Sequence, residues 1–275
     1  MRRHMCAIDT DASGYGWAGW LGDRLVGGWW NEWESKHLSI NRKELLAIFL
    51  TVQSFETSLQ GQTCLVMSDN MTALSYLRRH GGRSKSLSLL AEQIFDWCQN
   101  RPRPIFLNCV HLPGKLNTRA DRVSRYYEDR SEYKLDSAVF RSLDQRWGRH
   151  SVDMFASRHN RQCRRYFSRR RDPQAAASDA LLQDWARERN PYAHPPFSLI
   201  SRVLAQVERQ CVPEMTLVAP DWAASWLPDL RRLAVEAPVV LPHTATLIAP
   251  ATPTPWKRSR PLWKTLDWRV SGLSS

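Results

Sequence analysis

Apolar and polar residues organise the start of the chain into three short runs. Cys6 to Ala12, Gly16 to Leu21 and Leu25 to Trp30 each read as a strand. Ser13-Gly14 and Gly22-Asp23 separate them at hairpin spacing, which predicts an antiparallel meander. The period then lengthens: Leu45, Ile48, Phe49, Val52, Phe55 and Leu59 recur at helical spacing, predicting a helix capped by Asn41 and ended by Gly61. Thr63 to Met67 reads as a strand that stops at Ser68-Asp69-Asn70, followed by helices over Met71 to Arg79 and Ser86 to Asn100. Ile105 to His111 is a further strand, and a last helical piece starts near Asn117. This order predicts a mixed α/β sheet, a three-strand meander extended by parallel strands with helices packed on it.

The pattern changes after Tyr127. A charged stretch over 128–135 reads as a linker, and 136–250 reads as a second α/β domain. In it, Asp136 to Trp147, Leu199 to Gln210 and Trp222 to Val235 are predicted helices, the last with Pro228 inside it or at a break. Ser151 to Ser157, Met215 to Ala219 and Val239 to Leu241 are predicted strands of a mostly parallel sheet. Residues 251–275, rich in proline and basic residues, are expected to be a disordered tail.

Charge narrows the partners. The 39 Lys and Arg against 27 Asp and Glu leave a net +12 on 275 residues, a balance that favours a polyanion, most commonly nucleic acid. The six cysteines show neither CxxC pairs nor zinc spacing and read as reduced thiols. No stretch has the length and apolarity of a membrane span, and the basic N-terminus runs into an acid-bearing strand without the apolar core of a signal peptide. The expectation is a protein of nucleus or cytoplasm with no membrane partner.

Against this basic background four acids fall at the ends of elements. Asp11 lies late in the first strand, on the face that strand alternation also gives to Asp9, which is not one of the four. Glu44 opens the first long helix, Asp69 ends the fourth strand, and Asp121 lies in the last helical piece. Ligands of open α/β sheets gather beyond the carboxyl ends of strands. Hard carboxylate oxygens converging there suit Mg²⁺ or Mn²⁺, and two such ions suit in-line displacement at phosphorus. His111, between a strand and Pro113-Gly114, either moves protons near neutral pH or is a loop residue bonded to backbone.

Longer motifs carry a resemblance. Thr10-Asp11-Ala12-Ser13 with Gly14 and Gly16, Asn41-Arg42-Lys43-Glu44-Leu45, Ser68-Asp69-Asn70 with Thr72, His111-Leu112-Pro113-Gly114 with Asn117, Ala120-Asp121 and Ser124-Arg125 together resemble the ribonuclease H domain of retroelement reverse transcriptases. The resemblance covers Met5 to about Tyr127 and bounds a domain over 5–127. Arg78-Arg79-His80-Gly81-Gly82-Arg83-Ser84 looks most like the DIRS-like retrotransposons that use a tyrosine recombinase. The resemblance implies a ribonuclease H-like mixed sheet and two Mg²⁺ (or Mn²⁺) ions held by Asp11, Glu44, Asp69 and Asp121, with His111 as a mobile catalytic helper. It also implies endonucleolytic hydrolysis of the RNA strand of RNA/DNA hybrids, beside the reverse transcriptase and recombinase segments of one polyprotein. Asp9 matches no family ligand. The competing reading is a noncatalytic nucleic-acid-binding remnant. An integrase-like nuclease is disfavoured, because Glu44 lies between two Asp residues.

In the second half, Asp153-x-Phe155-Ala156-Ser157, then Asp179, then Pro195-Pro196-Phe197 are similar to phage-type adenine-N6 DNA methyltransferases, which implies a Rossmann-like sheet. The resemblance makes Asp153, Asp179, Pro195, Pro196 and Phe197 a degenerate cofactor and base site. His194 stands where that family has Asp or Asn, and no glycine-rich loop follows Asp153. S-adenosylmethionine and methyl transfer are therefore not expected, and the domain reads as a relic or binding module. Without the resemblance, Pro195-Pro196-Phe197 reads as a rigid turn into a helix. Arg164 to Arg171 interleaves cations with Tyr166 and Phe167, a nucleic-acid pattern or a solvated basic loop.

Overall fold

The computed structural model describes residues 5–113, 133–169, 171–242, 246–248, 257–258 and 264–273. The chain divides into two compact units, Met1–Tyr127 and Glu128–Ser275. Both are mixed α/β, the class expected from the sequence pattern.

In the first unit β1 (Met5–Ala12), β2 (Gly16–Leu21) and β3 (Arg24–Trp29) form the antiparallel meander. β4 (Thr63–Ser68) and β5 (Phe106–His111) continue it in parallel, giving the order β3-β2-β1-β4-β5. The helices are α1 (Glu32–His37), α2 (Ile40–Ser54), α3 (Glu56–Leu59), α4 (Met71–Arg79) and α5 (Lys85–Gln99). Ile8, Leu45, Ile48, Val52, Val66, Leu74 and Ile94 form the centre of its core, all essentially inaccessible to solvent. Gly19 on β2 lets α2 lie close, because a Cβ there would run into the Thr51 side chain.

Three local expectations are corrected here. The helix cap is Ser39, whose Oγ accepts from Arg42 N–H at 3.3 Å, and not Asn41. The predicted single helix to Leu59 breaks at Phe55. Thr51 and Ser54 turn their hydroxyls back onto the carbonyls of Ala47 and Leu50, both at 2.7 Å, a habit that bends helices and competes with their continuation. α1 went unpredicted because six residues are too few for a period. Its signal is the capping box in which Glu34 N–H donates to Asn31 Oδ1 (2.8 Å) and Asn31 N–H to Glu34 Oε2 (3.0 Å). The helical piece near Asn117, Asp121 included, lies outside the described residues.

The second unit contains β6 (Tyr133–Leu135), α6 (Ser137–Trp147), β7 (Val152–Asp153), β8 (Phe167–Ser168), β9 (Ala177–Ser178) and β10 (Pro191–Ala193). It continues through α7 (Ile200–Arg209), β11 (Met215–Pro220), α8 (Leu227–Leu233), β12 (Val239–Val240), β13 (Thr246–Ile248), β14 (Lys257–Arg258) and β15 (Thr265–Val270). The main sheet runs β12-β15-β11-β10-β7, with β7, β10 and β11 parallel and β15 antiparallel to both its neighbours. The sheet is thus mostly parallel, as the sequence pattern predicts, with β15 the one strand of the five that runs against the others. β8 and β9 pair in parallel, and β8 lies alongside β7 through the Asp153–Tyr166 bridge and the Asp153 N–H bond to the Arg165 carbonyl at 3.0 Å. β14, β13 and β6 form a small separate sheet.

Two boundaries read from composition are also corrected. The end of the expected linker is strand β6, with Leu135 fully buried. The expected disordered tail contains β14 and, more consequentially, β15, a strand buried along its whole length between β11 and β12. Its polar positions are compensated internally: Trp147 Nε1 donates to Asp267 Oδ2 at 2.8 Å, and Arg269 bonds Glu214, Asn190 and Thr216. The proline-rich sequence before β15 masked its alternation in composition.

Candidate metal centre

β1 and β4 are parallel neighbours, so their carboxyl ends open on the same edge of the sheet. The β1–β4 ladder ends at the Asp9–Met67 pair, which leaves Asp9 inside the ladder and carries Asp11 past it to the level of Asp69. α2 lies across β1 and delivers Glu44 from its second turn. Carboxylate oxygens of Asp11, Glu44 and Asp69 come within 4.8 Å of one another, Asp11 and Glu44 buried and Asp69 exposed. They line an open cavity of about 350 Å³ with Ala12 to Tyr15, Ile40 and Asn70.

The electrostatics of this cluster are those of a cation site. Glu44 is 3% exposed; Ala12 N–H and the Ser68 hydroxyl donate to its carboxylate, yet Oε2 has no hydrogen-bond partner. Burial, and then repulsion from Asp11 and Asp69, push the Glu44 pKa up to about 9. Three hard carboxylates around an orphaned buried oxygen fit a divalent cation, which would neutralise them and complete the oxygen coordination.

The surrounding turns hold the acids in place. Asn70 caps α4 by accepting from Ala73 N–H at 2.8 Å, donates Nδ2–H to Asn41 at 3.0 Å, and bonds its own N–H to Ser68 Oγ. Lys43, also buried, donates from Nζ to the carbonyls of Gly14 (2.9 Å) and Ser35 (3.0 Å), tying the β1–β2 turn to α1. Neither role was read from the sequence, although Asn70 directly before an apolar helical run is a cap signal. His111, exposed at the end of β5, pairs in register with Ser68, next to Asp69. Asp121 lies outside the described residues, so the structure brings together three of the four expected ligands.

In the second unit the strand order is β9-β8-β7-β10-β11-β15-β12 once the β7–β8 bridge is included. The chain runs outward from β7 to β9 and then returns to the other side of β7 for β10. The carboxyl ends of β7 and β10 therefore flank a topological switch point, where doubly wound sheets form their ligand crevice. Asp153 and His194 both lie there, buried. Asp153 Oδ2 accepts from Gln162 N–H at 2.9 Å, and burial raises its pKa to about 7. Burial lowers the His194 pKa to about 3. Pro195 and Pro196 lead directly into a turn of 3₁₀ helix at Phe197–Leu199 and then α7, while the Phe197 ring meets Trp222 edge-on at 5.0 Å. Asp179 is exposed with φ +55° and caps the next turn, accepting from Leu181 N–H at 3.1 Å.

These two buried groups give opposite pH slopes. A carboxyl whose pKa rises on folding stabilises the fold at low pH and loses that contribution as pH climbs toward 7; a histidine whose pKa falls on folding costs stability as pH drops below 6.5. Asp153→Asn removes only the first slope. Its stability relative to the unsubstituted chain is expected to improve by about 1.4 kcal/mol per pH unit from pH 4.5 to 6, followed by urea unfolding of the second unit. A difference that stays constant across that window would show that Asp153 titrates normally.

Comparison with known proteins adds the following. Residues 124–238 match the family model described as DNA N-6-adenine-methyltransferase (Dam). No curated protein matches the chain. Among solved structures, LC11-RNase H1 isolated from compost is 19% identical, with 45% of this chain and 93% of that one covered at a TM-score of 0.35. RNase H1 from the halophilic archaeon Halobacterium salinarum NRC-1 is 14% identical, with 44% and 97% covered at a TM-score of 0.34. LC11-RNase H1 in complex with an RNA/DNA hybrid is 18% identical, with 43% and 91% covered at a TM-score of 0.35. Among the described residues no helix is long and apolar enough to cross a membrane. The chain is similar over 124–238 to DNA N-6-adenine-methyltransferases (Dam), and the RNase H1 structures align with 43–45% of it.

Proposed function

We propose that the first unit hydrolyses the RNA strand of RNA/DNA hybrids, as part of a retrotransposon reverse transcriptase polyprotein of the DIRS-like kind. The observation that carries this is the convergence of Asp11, Glu44 and Asp69 around a buried carboxylate oxygen with no hydrogen-bond partner. These three, with Asp121, would hold two Mg²⁺ or Mn²⁺ ions. When bound, such ions supply an activated water and charge stabilisation at the scissile phosphate. Asn70 and Ser68 fix the turn that carries Asp69, and Lys43 fixes the turn beside Asp11. His111, exposed one strand away from Asp69, would serve as the mobile catalytic helper. The +12 charge of the chain attracts the duplex, whose RNA strand is recognised by its 2′-hydroxyls.

For the second unit the reading is a nucleic-acid-binding relic of a methyltransferase. Asp153 is tied to Gln162 N–H, His194 replaces the amino-group acceptor, Asp179 serves a turn, and Pro195-Pro196-Phe197 serve a helix start packed on Trp222. Calorimetry with S-adenosylmethionine tests it: no heat of binding is expected, and a saturable signal would restore methyl transfer.

The nuclease reading is tested with a labelled RNA/DNA hybrid and Mg²⁺. The unsubstituted protein is expected to cut the RNA strand, and Asp69→Asn to lose at least about 100-fold of that rate, the usual cost of one preorganised charge at a reacting centre. Absence of cleavage by both proteins would favour the alternative, a noncatalytic nucleic-acid-binding remnant.

A further inference from the structure

α1 places Trp33, Lys36 and His37 on one face, at i, i+3 and i+4, and all three side chains are exposed. Trp33 is 61% exposed, an unusual position for the largest apolar side chain. It is also preorganised: the His37 ring stacks on it with centroids 5.2 Å apart and planes 24° apart, and His37 Nδ1 lies 2.8 Å from the Trp33 carbonyl oxygen.

The helix under this face is fixed to the rim of the acid cavity. Ser35 Oγ donates to the Gly14 carbonyl at 3.3 Å, and Lys43 Nζ bridges the carbonyls of Gly14 and Ser35. Gly14 lines the cavity, as do the exposed side chains of Tyr15 and Ile40. At the other end, Trp30 just before α1 donates from Nε1 to the Ser13 carbonyl at 3.0 Å and from its backbone N–H to the Tyr15 carbonyl at 2.8 Å, so the helix is tied to the β1–β2 turn from both sides. An exposed aromatic pair beside a cation, held at the mouth of an acid cavity on a strongly basic chain, is the combination that grips a nucleic-acid strand by stacking and charge.

We propose that the Trp33–His37 face is a stacking platform for an unpaired nucleotide flanking the duplex at the acid cavity, with Lys36 beside it to meet a phosphate. Bases inside a duplex have both faces covered by their neighbours, so an indole on the rim gains stacking only from a base in a single-stranded extension. The platform makes the protein favour hybrids that carry such an extension over blunt ones. This rests on the reading of the acid cavity as the place where hybrid binds.

The test measures binding by fluorescence anisotropy in EDTA, using one labelled hybrid blunt and the same hybrid with a single-stranded extension. The unsubstituted chain is expected to bind the extended hybrid at least about 5-fold more tightly. Trp33→Ala is expected to lose roughly 5- to 100-fold on the extended hybrid, the range of one base–aromatic stack, and less than about 2-fold on the blunt one. Trp33→Phe, which keeps an aromatic face, recovers most of the loss. Equal binding by Trp33→Ala and the unsubstituted chain, or equal loss on both hybrids, overturns the platform. Binding lost through Trp33 by a protein that cuts no hybrid would sink the nuclease reading and leave the platform standing. Cleavage by a protein indifferent to Trp33 would do the reverse.

Discussion

Glu44→Gln is expected to abolish hybrid cleavage while making the metal-free protein more stable. The carboxylate is 3% exposed, its Oε2 has no hydrogen-bond partner, and Asp11 and Asp69 repel it. The amide keeps the shape, removes a carboxyl that burial and its two neighbours hold protonated up to about pH 9 at a cost to folding, and offers N–H groups to those acids, a gain of about 1–3 kcal/mol in EDTA. The same change deletes one ligand of the proposed cation site, so the rate should fall by roughly 10³-fold. Added Mg²⁺ stabilises the unsubstituted fold by mass action and should raise its melting temperature in a concentration-dependent way, while the variant stays flat. Melting curves with and without Mg²⁺, beside a cleavage time course, check all three statements. A variant that melts lower in EDTA would show that Glu44 is held by partners other than a cation. A variant that still cuts would remove it from the centre.

The acid centre was legible because its members are fixed by features that a sequence displays. Turn residues at hairpin spacing mark the meander, and an acid directly after a short apolar run marks the carboxyl end of β4. Alternation alone could not separate Asp9 from Asp11, since both point to one face. What separates them is length: β4 stops pairing opposite Asp9, so only Asp11 reaches the open edge. The boundaries of α2 were not legible, because Ser39 and Asn41 are equally good caps and the break at Phe55 comes from hydroxyls that turn inward only in the folded helix. α1 was missed for its shortness, and with it the exposed Trp33.

In the second unit the topology was hidden by strands of two or three residues. β7, β8 and β9 are each two residues long, too short for any period to register. Asp153 and His194 were found through a resemblance, and the structure adds why those positions matter physically: they flank the point where the winding reverses. Their shifted pKa values follow from burial, which no linear pattern shows.

Ending the chain at residue 263 is expected to unfold the second unit. If 251–275 were the tail its composition suggests, the truncation would cost nothing. β15 instead pairs with β11 over six residue pairs, Met215–Val270 to Pro220–Thr265, and on its other side with β12. Leu266, Trp268 and Val270 fill the core, at roughly 1.5–3 kcal/mol of burial each. Their loss leaves β11 as a bare edge and strands the partly buried Trp147 N–H and the buried Asn190 carbonyl oxygen, which Asp267 and Arg269 satisfy, at about 1–3 kcal/mol apiece. The sum of about 6–15 kcal/mol matches the whole stability of an ordinary domain. Thermal unfolding should lose the second unit's transition, and limited proteolysis should clear residues beyond 127 while sparing the first unit, whose core lies within Ile8 to Cys109. A milder variant separates packing from chain length: Trp268→Ala keeps every residue pair of the strand and should cost about 3–5 kcal/mol. Retention of both transitions in the truncated chain would return β15 to the status of a tail.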